Sequence, residues 1–515
     1  MTMPRVLRSL GKDRESGWRF TLLLCIPYLA FMIWMHAHHE MWRDEIHPWT
    51  LARLAHGFSE LATGDSIYEG HPPLWFWYLH VWTWFVQGAW GIQAATIAAS
   101  VAAAALLVRF APFPRYLKVL LLFSYYFGYE YTVMSRNYVL GWLLACGFCA
   151  LYHTIRVRYL AAALALGLLC LTSFYGLVMS IFLLGFFILD RMRISLSSRT
   201  TSPPSALTLT LSISPRAFVT FALVSAAILF CVLTVDPPDP NPFSPGFIWS
   251  DLAPKALPRM LFRLTTGILP WSPKWASDFW WASQLPWESR VLLSTCVGAG
   301  LLIWALVALY PSWRLMLTYA GAVATMELFQ QVRHEGCARH WGHYFMFFVV
   351  CSWLLRTTFA KRSHLISTLL LLGVLGLQAP TFLAATVVDS REVFSGGRET
   401  AAFIRREHLQ DLPIVAGPDY AAVTVAGFLG RPFFAAETEE VNQTVVYHNR
   451  HRKFSEEELM TRAMGVSRAN RSPVLLICTR PLPDPPAGVT RTWLFTSRPG
   501  TVADETFSVY RLQAD

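Results

Sequence analysis

Apolar runs of bilayer-spanning length recur along this chain, and no other feature restricts its fold as strongly. They lie near residues 20–39, 91–108, 116–131, 138–153, 159–173, 174–190, 217–235, 291–310, 314–330, 342–356 and 364–386. A helix of about 20 apolar residues satisfies its own backbone polar groups and matches the hydrocarbon thickness, so each run is expected to span a membrane. Of the 515 residues 54% are hydrophobic and only 15% charged, too little polar surface to cover a soluble core of this size. The expected class is a polytopic α-helical membrane protein with eleven spans.

A net charge of +10 would suit a nucleic-acid partner in a soluble protein. Here it has a plainer origin, because membrane proteins collect Lys and Arg in their cytoplasmic loops. Arg109, Arg115 and Lys118 share one short connection, Arg156 and Arg158 a second, Arg191, Arg193, Arg199 and Arg216 a third, and Arg356, Lys361 and Arg362 a fourth. With those four and the basic N-terminus inside, a single crossing fits between the end of the first span and Arg109. The run at 91–108 supplies it. The segment HPPLWFWYLHVWTWF at 71–85 is then expected to lie along the outer interface, where Trp75, Trp77, Tyr78, Trp82 and Trp84 suit the headgroup region. The nine Cys fall mostly inside apolar runs and lack zinc-finger or CxxC spacing, so neither a disulfide framework nor a structural zinc is expected.

This topology places the first loop (40–90), the Trp- and Pro-rich stretch 236–290, the loop 331–341 and the tail outside. Residues 1–390 read as the membrane domain. From 391 to 515 the composition becomes that of a soluble protein: ETAAFIRREHL and EEELMTRAM read as helices, PIVAG, PVLLICT, TWLF and FSVYRL as strands. A small α/β domain is expected there.

Four polar clusters then share one face. MWRDEIHPWT ends the first span with Asp44 and Glu45, and Pro48 suits a first helical turn of a segment whose Ile46, Trp49, Leu54 and Phe58 form an apolar side. DSIYEGHPPLW brings Glu69 and His71; GYEYTVMSRNYVLGW brings Glu130, Arg136 and Tyr138; FQQVRHEGCARHWGHYF brings Arg333, His334, Glu335, Arg339, His340 and His343. Charges at a membrane boundary are costly without a partner or a polar substrate. Carboxylates, arginines and histidines converging on one face point to a site that binds an anion and performs acid–base chemistry, with a structural ion-pair network as the competing explanation.

An acidic pair after the first span, an H-P-P-L segment some 25 residues on, and an S-R-x-Y segment at the start of a later span resemble, in order and spacing, the protein O-mannosyltransferases and the aminoarabinose-to-lipid-A transferases. These are polyprenyl-phosphate-sugar-dependent glycosyltransferases of the GT-C fold. The resemblance covers roughly residues 20–190 and implies Asp44 as the catalytic carboxylate, with Glu45 as its alternative. It implies Arg136, with Tyr138 and His71, as the group that holds the lipid-linked phosphate; Arg339 and His340 join them by position alone. Glu69 lies near an acidic position that some members use with a metal, and His343 is a ligand type that would accompany it, which leaves a divalent ion open as cofactor. LTSFYG at 171–176 departs from the family, which often carries a histidine there.

The function so implied is transfer of a sugar from a polyprenyl-phosphate donor to a glycan, lipid or protein acceptor, with inversion, on the periplasmic face of a bacterial inner membrane, the endoplasmic reticulum lumen being the second choice. Two other classes stay open: a transporter or flippase for lipid-linked sugars, whose essential charges should lie at mid-bilayer, and a non-catalytic lipid-binding scaffold.

Overall fold

The computed structural model describes residues 16–152, 158–191, 193–198, 207–212, 215–235, 248, 256–270, 291–359, 364–447, 449 and 451–514. The basic residues Arg156, Arg199, Lys361 and Arg362 and most of the 236–290 stretch lie outside the described residues, as do the side chains of Arg191 and Arg193.

The chain is mostly helical. Five helices are long and apolar enough to cross a membrane: Trp18–His38, Trp90–Phe110, Pro215–Leu233, Leu292–Leu309 and Leu365–Asp389. Their outward sides are apolar, with Leu23 70% and Ile26 62% exposed, the pattern of an integral membrane protein, since such a surface is costly in water. Other expected spans form shorter or more polar helices: Tyr138–Tyr152, Tyr159–Cys170, Phe174–Arg191, Trp313–Val332 and His343–Thr358. The run at 116–131 is not one helix. It splits into Arg115–Leu122 and a π-helical turn at Tyr126–Glu130, a local widening that often marks functional segments. Gly128 permits it, for a Cβ there would stand 2.7 Å from the Phe382 ring and 2.8 Å from Leu122 O.

The helices also bury charge. Glu327 of Trp313–Val332 and Arg263 of Ala256–Ile268 pair at 3.2 Å, with 4% and 3% of their side chains exposed. Two strands, β1 (Arg193–Ser198) and β2 (Leu207–Ser212), pair antiparallel in what reads as a Ser/Thr/Pro-rich loop.

Two helices lie at one end of the bundle. Arg43–Leu54 follows the first span, and Leu74–Thr83 carries the aromatic HPPL segment. Ile46 and Trp49 pack with Trp75, Leu79, Ile92 and Ala95, whereas Leu54 and Phe58 are 46% and 43% exposed, so the apolar side of this segment is shorter than expected. Pro48 sits inside the helix rather than in its first turn, because the helix begins at Arg43.

The C-terminal region is built on a six-stranded sheet in the order β5-β4-β3-β6-β8-β7. Its strands are β3 (Ile414–Gly417), β4 (Phe433–Ala435), β5 (Val441–Asn442), β6 (Val474–Cys478), β7 (Val489–Thr496) and β8 (Ser508–Ala514). β3 runs parallel to β4 and β6, and β8 antiparallel to β6 and β7. Period-two alternation sorts the side chains. Ile414, Ala416, Leu475 and Ile477 meet helices Gly397–Arg406 and Asp419–Leu429 on one face, and Val415, Val474, Leu476 and Leu512 meet Glu456–Asn470 on the other.

This domain rests on Arg43–Leu54. Gly427 makes close contact possible, since a Cβ there would lie 2.1 Å from Ile46 Cγ2 and 2.9 Å from Thr50 Oγ1. Arg43 donates from Nη1 to Asp504 at 2.9 Å, and its backbone N–H donates to buried Glu505 at 3.1 Å.

Candidate functional site

Asp44 and Glu45 diverge. Glu45 has no exposed surface: Oε2 pairs with His39 Nε2 at 2.8 Å, and Oε1 accepts the Ser135 N–H at 2.6 Å. His39 turns its other nitrogen to Asp389 at 2.9 Å, and Tyr129 O–H donates to the same carboxylate at 3.0 Å. Burial opposes an imidazolium here, but Asp389 and then Glu45 hold the His39 proton well above the usual histidine range. Glu45, the expected alternative base, is therefore a clamp that joins the ends of two long helices to the Ser135 loop, and it does not reach the cavity.

Asp44 keeps 29% of its side chain exposed between two arginines, Arg339 Nη1 at 3.2 Å from Oδ2 and Arg136 Nη1 at 3.5 Å. Arg136 is placed by the proline. Pro48 has no N–H, so the carbonyl four residues earlier, Asp44 O, lacks its helical donor and accepts Arg136 Nη1–H at 2.7 Å instead. Arg136 Nη2–H donates to His71 Nε2 at 3.3 Å. Burial, then Arg136, push His71 down to about 4, so the imidazole is neutral and its Nε2 accepts. Its hydrogen bond orients Arg136.

Glu69 and His71 flank Gly70, whose φ of 65° is a left-handed turn suited to glycine. Glu69 accepts from His47 Nδ1 at 2.9 Å. Burial would raise its pKa, but His47 first, with Arg136 and His71, pulls it down to about 2. The other His47 nitrogen lies 3.0 Å from the Val445 N–H and ties the first loop to the C-terminal domain.

These groups enclose a cavity of about 180 Å3. Asp44, His47, Glu69, His71 and Arg136 form one side; Tyr420, Val423, Val445 and Tyr447 of the C-terminal domain form the other, with Arg43 between. The domain's share went unread in the sequence, where VTVAGFL and VVYHN carry no motif and only their packing places them here.

The remaining expected residues lie deeper. Arg339 braces Asp44 and also faces Glu130 at 3.5 Å and the Trp42 ring at 5.2 Å. His340 accepts the Cys337 N–H at Nδ1, 3.0 Å away, and stacks on Tyr175 with ring centres 5.6 Å apart. His343 stacks on Tyr175 at 4.4 Å, and its Nδ1 lies 2.9 Å from His340 O. Tyr138 meets both histidines edge-on, and its buried hydroxyl has no hydrogen-bond partner among the described residues. Glu69 and His343, read together as metal ligands, thus belong to different surroundings, Glu69 to the cavity and His343 to the aromatic stack.

LTSFYG has a structural task. Leu171 O accepts the Leu74 N–H at 3.2 Å, seating the HPPL helix, and Thr172 O accepts from Asn137 Nδ2 at 2.6 Å, seating the residue after Arg136. Compared with protein-family models, curated proteins and solved structures, the chain matches none.

Proposed function

We propose that this protein is a membrane glycosyltransferase of GT-C architecture with eleven spans, transferring a sugar from a polyprenyl-phosphate donor to a glycan, lipid or protein acceptor on the outer face of a bacterial inner membrane. The observation that carries this reading is Asp44: an accessible carboxylate lining a polar cavity, with Arg136 held against it by the carbonyl that Pro48 frees.

The donor brings its own leaving group, so two tasks remain. Asp44 takes the proton from the acceptor hydroxyl or amine as its oxygen or nitrogen bonds to the anomeric carbon, and the bond from that carbon to the phosphate oxygen breaks. The departing lipid phosphate gains negative charge, which the guanidinium of Arg136 stabilises, with the buried Tyr138 hydroxyl as a further donor nearby. Attack opposite the leaving group inverts the anomeric centre. Glu69 also lines the cavity, but a carboxylate held near about 2 by His47 is a weak base, so it positions His47 while Asp44 acts.

The test is transfer from a panel of radiolabelled polyprenyl-phosphate sugars to a membrane extract, using the full chain in nanodiscs. Asp44→Asn is expected to lower the rate by about 10²–10⁴-fold, as loss of a general base does, and Arg136→Ala to weaken both donor binding and transfer. Full activity in well-folded Asp44→Asn would overturn the assignment.

A further inference from the structure

We infer that Tyr447 and Tyr420 of the C-terminal domain form the wall on which a single sugar ring of the donor lies, its hydroxyls facing Asp44, Glu69, His71 and Arg136. This rests on the transferase reading and adds to it the size of the transferred group and the part played by the tail. The cavity has two unlike sides. One is mostly charged or polar, with Tyr68 among Asp44, His47, Glu69, His71 and Arg136; the other consists of two tyrosines and two valines. A pyranose has the matching character, with equatorial hydroxyls around its rim and C–H bonds on its faces, so one face lies on an aromatic ring while the rim meets charged acceptors and donors.

Size supports one ring. About 180 Å3 is below the ~300–1,000 Å3 of clefts that take drug-sized ligands, and a second sugar would have to stand outside the lining.

Both tyrosines are fixed from the membrane side as well as from their own domain. Arg43 lies over the Tyr420 ring at 5.0 Å, and Tyr447 follows two residues after Val445, whose N–H is bonded to His47. On its other side Tyr447 meets the His451 ring at 5.4 Å, and His451 is held by Asp419 at 3.0 Å. Burial, then the carboxylates of Glu69, Asp419 and Asp44, keep the Tyr447 phenol protonated and uncharged.

The experiment measures kcat and KM of the full chain for a polyprenyl phosphate bearing one sugar, and for the same lipid bearing a disaccharide. Tyr447→Ala and Tyr420→Ala are expected to raise KM for the monosaccharide donor about tenfold, the loss of one aromatic contact, while the corresponding Phe variants stay near wild type. The disaccharide donor is expected to be a poor substrate. Unchanged KM in both alanine variants, or equal use of the disaccharide, overturns the inference when Asp44→Asn abolishes transfer in the same assay. If Asp44→Asn is fully active, the transferase reading itself fails and this inference with it.

Discussion

Neighbours on a helix point about 100° apart, and at Asp44 and Glu45 that angle separates a cavity from a core. Glu45 faces His39 and the Ser135 N–H with no exposed surface; Asp44 faces the cavity. Glu45→Gln takes one of two carboxylates from buried His39, with Asp389 remaining at 2.9 Å, so it is expected to cost about 1–3 kcal/mol, read as a lower melting temperature in detergent, whereas Asp44→Asn, on a side chain 29% exposed, should cost less. A Glu45→Gln variant that melts normally yet transfers nothing would restore Glu45 as the base. Pro48 belongs to the same scale. Its missing N–H is legible in the sequence, but that the freed carbonyl belongs to the helix holding Asp44, and meets an arginine 92 residues away, is not.

At the scale of elements, the helix Asp419–Leu429 is the piece the sequence hid. DYAAVTVAGFL is apolar nearly throughout because it is covered by the sheet on one side and by Arg43–Leu54 on the other, so it lacks the one-sided pattern that marks a surface helix. Its first residue, Asp419, donates its N–H to Glu437 at 2.9 Å. Burial and the Asp419 charge push Glu437 up to about 8. The folded domain therefore holds a proton that the unfolded chain releases near about pH 4.3, and its stability falls as pH rises from there through about 8. Glu505, pushed up to about 7 by burial, has the same sign. His451, whose proton is held by Asp419 against the cost of burial, also loses its contribution as pH rises. Glu437→Gln is expected to flatten this dependence, measured as proteolytic release of the domain across about pH 5 to about pH 9. An unchanged profile would show that Glu437 ionises normally.

At the scale of the molecule, the cavity depends on how the C-terminal domain seats on the bundle, because each supplies one side of it. Gly427 is at that seam and outside the cavity lining. Gly427→Val forces the two helices apart, at a cost of about 1–3 kcal/mol for overpacking. The expected result is faster proteolysis of the tail and lower transfer, although every cavity residue is intact; undiminished transfer would show that seating of the domain is not required.

The sequence by itself determined the class of the molecule. Apolar length is a local property, and so are short apolar runs such as those of β3 and β6, buried at every position, which is why PIVAG, PVLLICT and FSVYRL read correctly as strands. It also singled out residues that the fold brings together, since Asp44, Glu69, His71 and Arg136 line one cavity. Only the tertiary structure decided which of two adjacent carboxylates faces the cavity, that His71 accepts from Arg136, and that the run at 116–131 breaks after Leu122. Those outcomes depend on contacts between segments tens to hundreds of residues apart, such as Val445 with His47 and Asp389 with His39, and no local pattern in the chain encodes a contact of that kind.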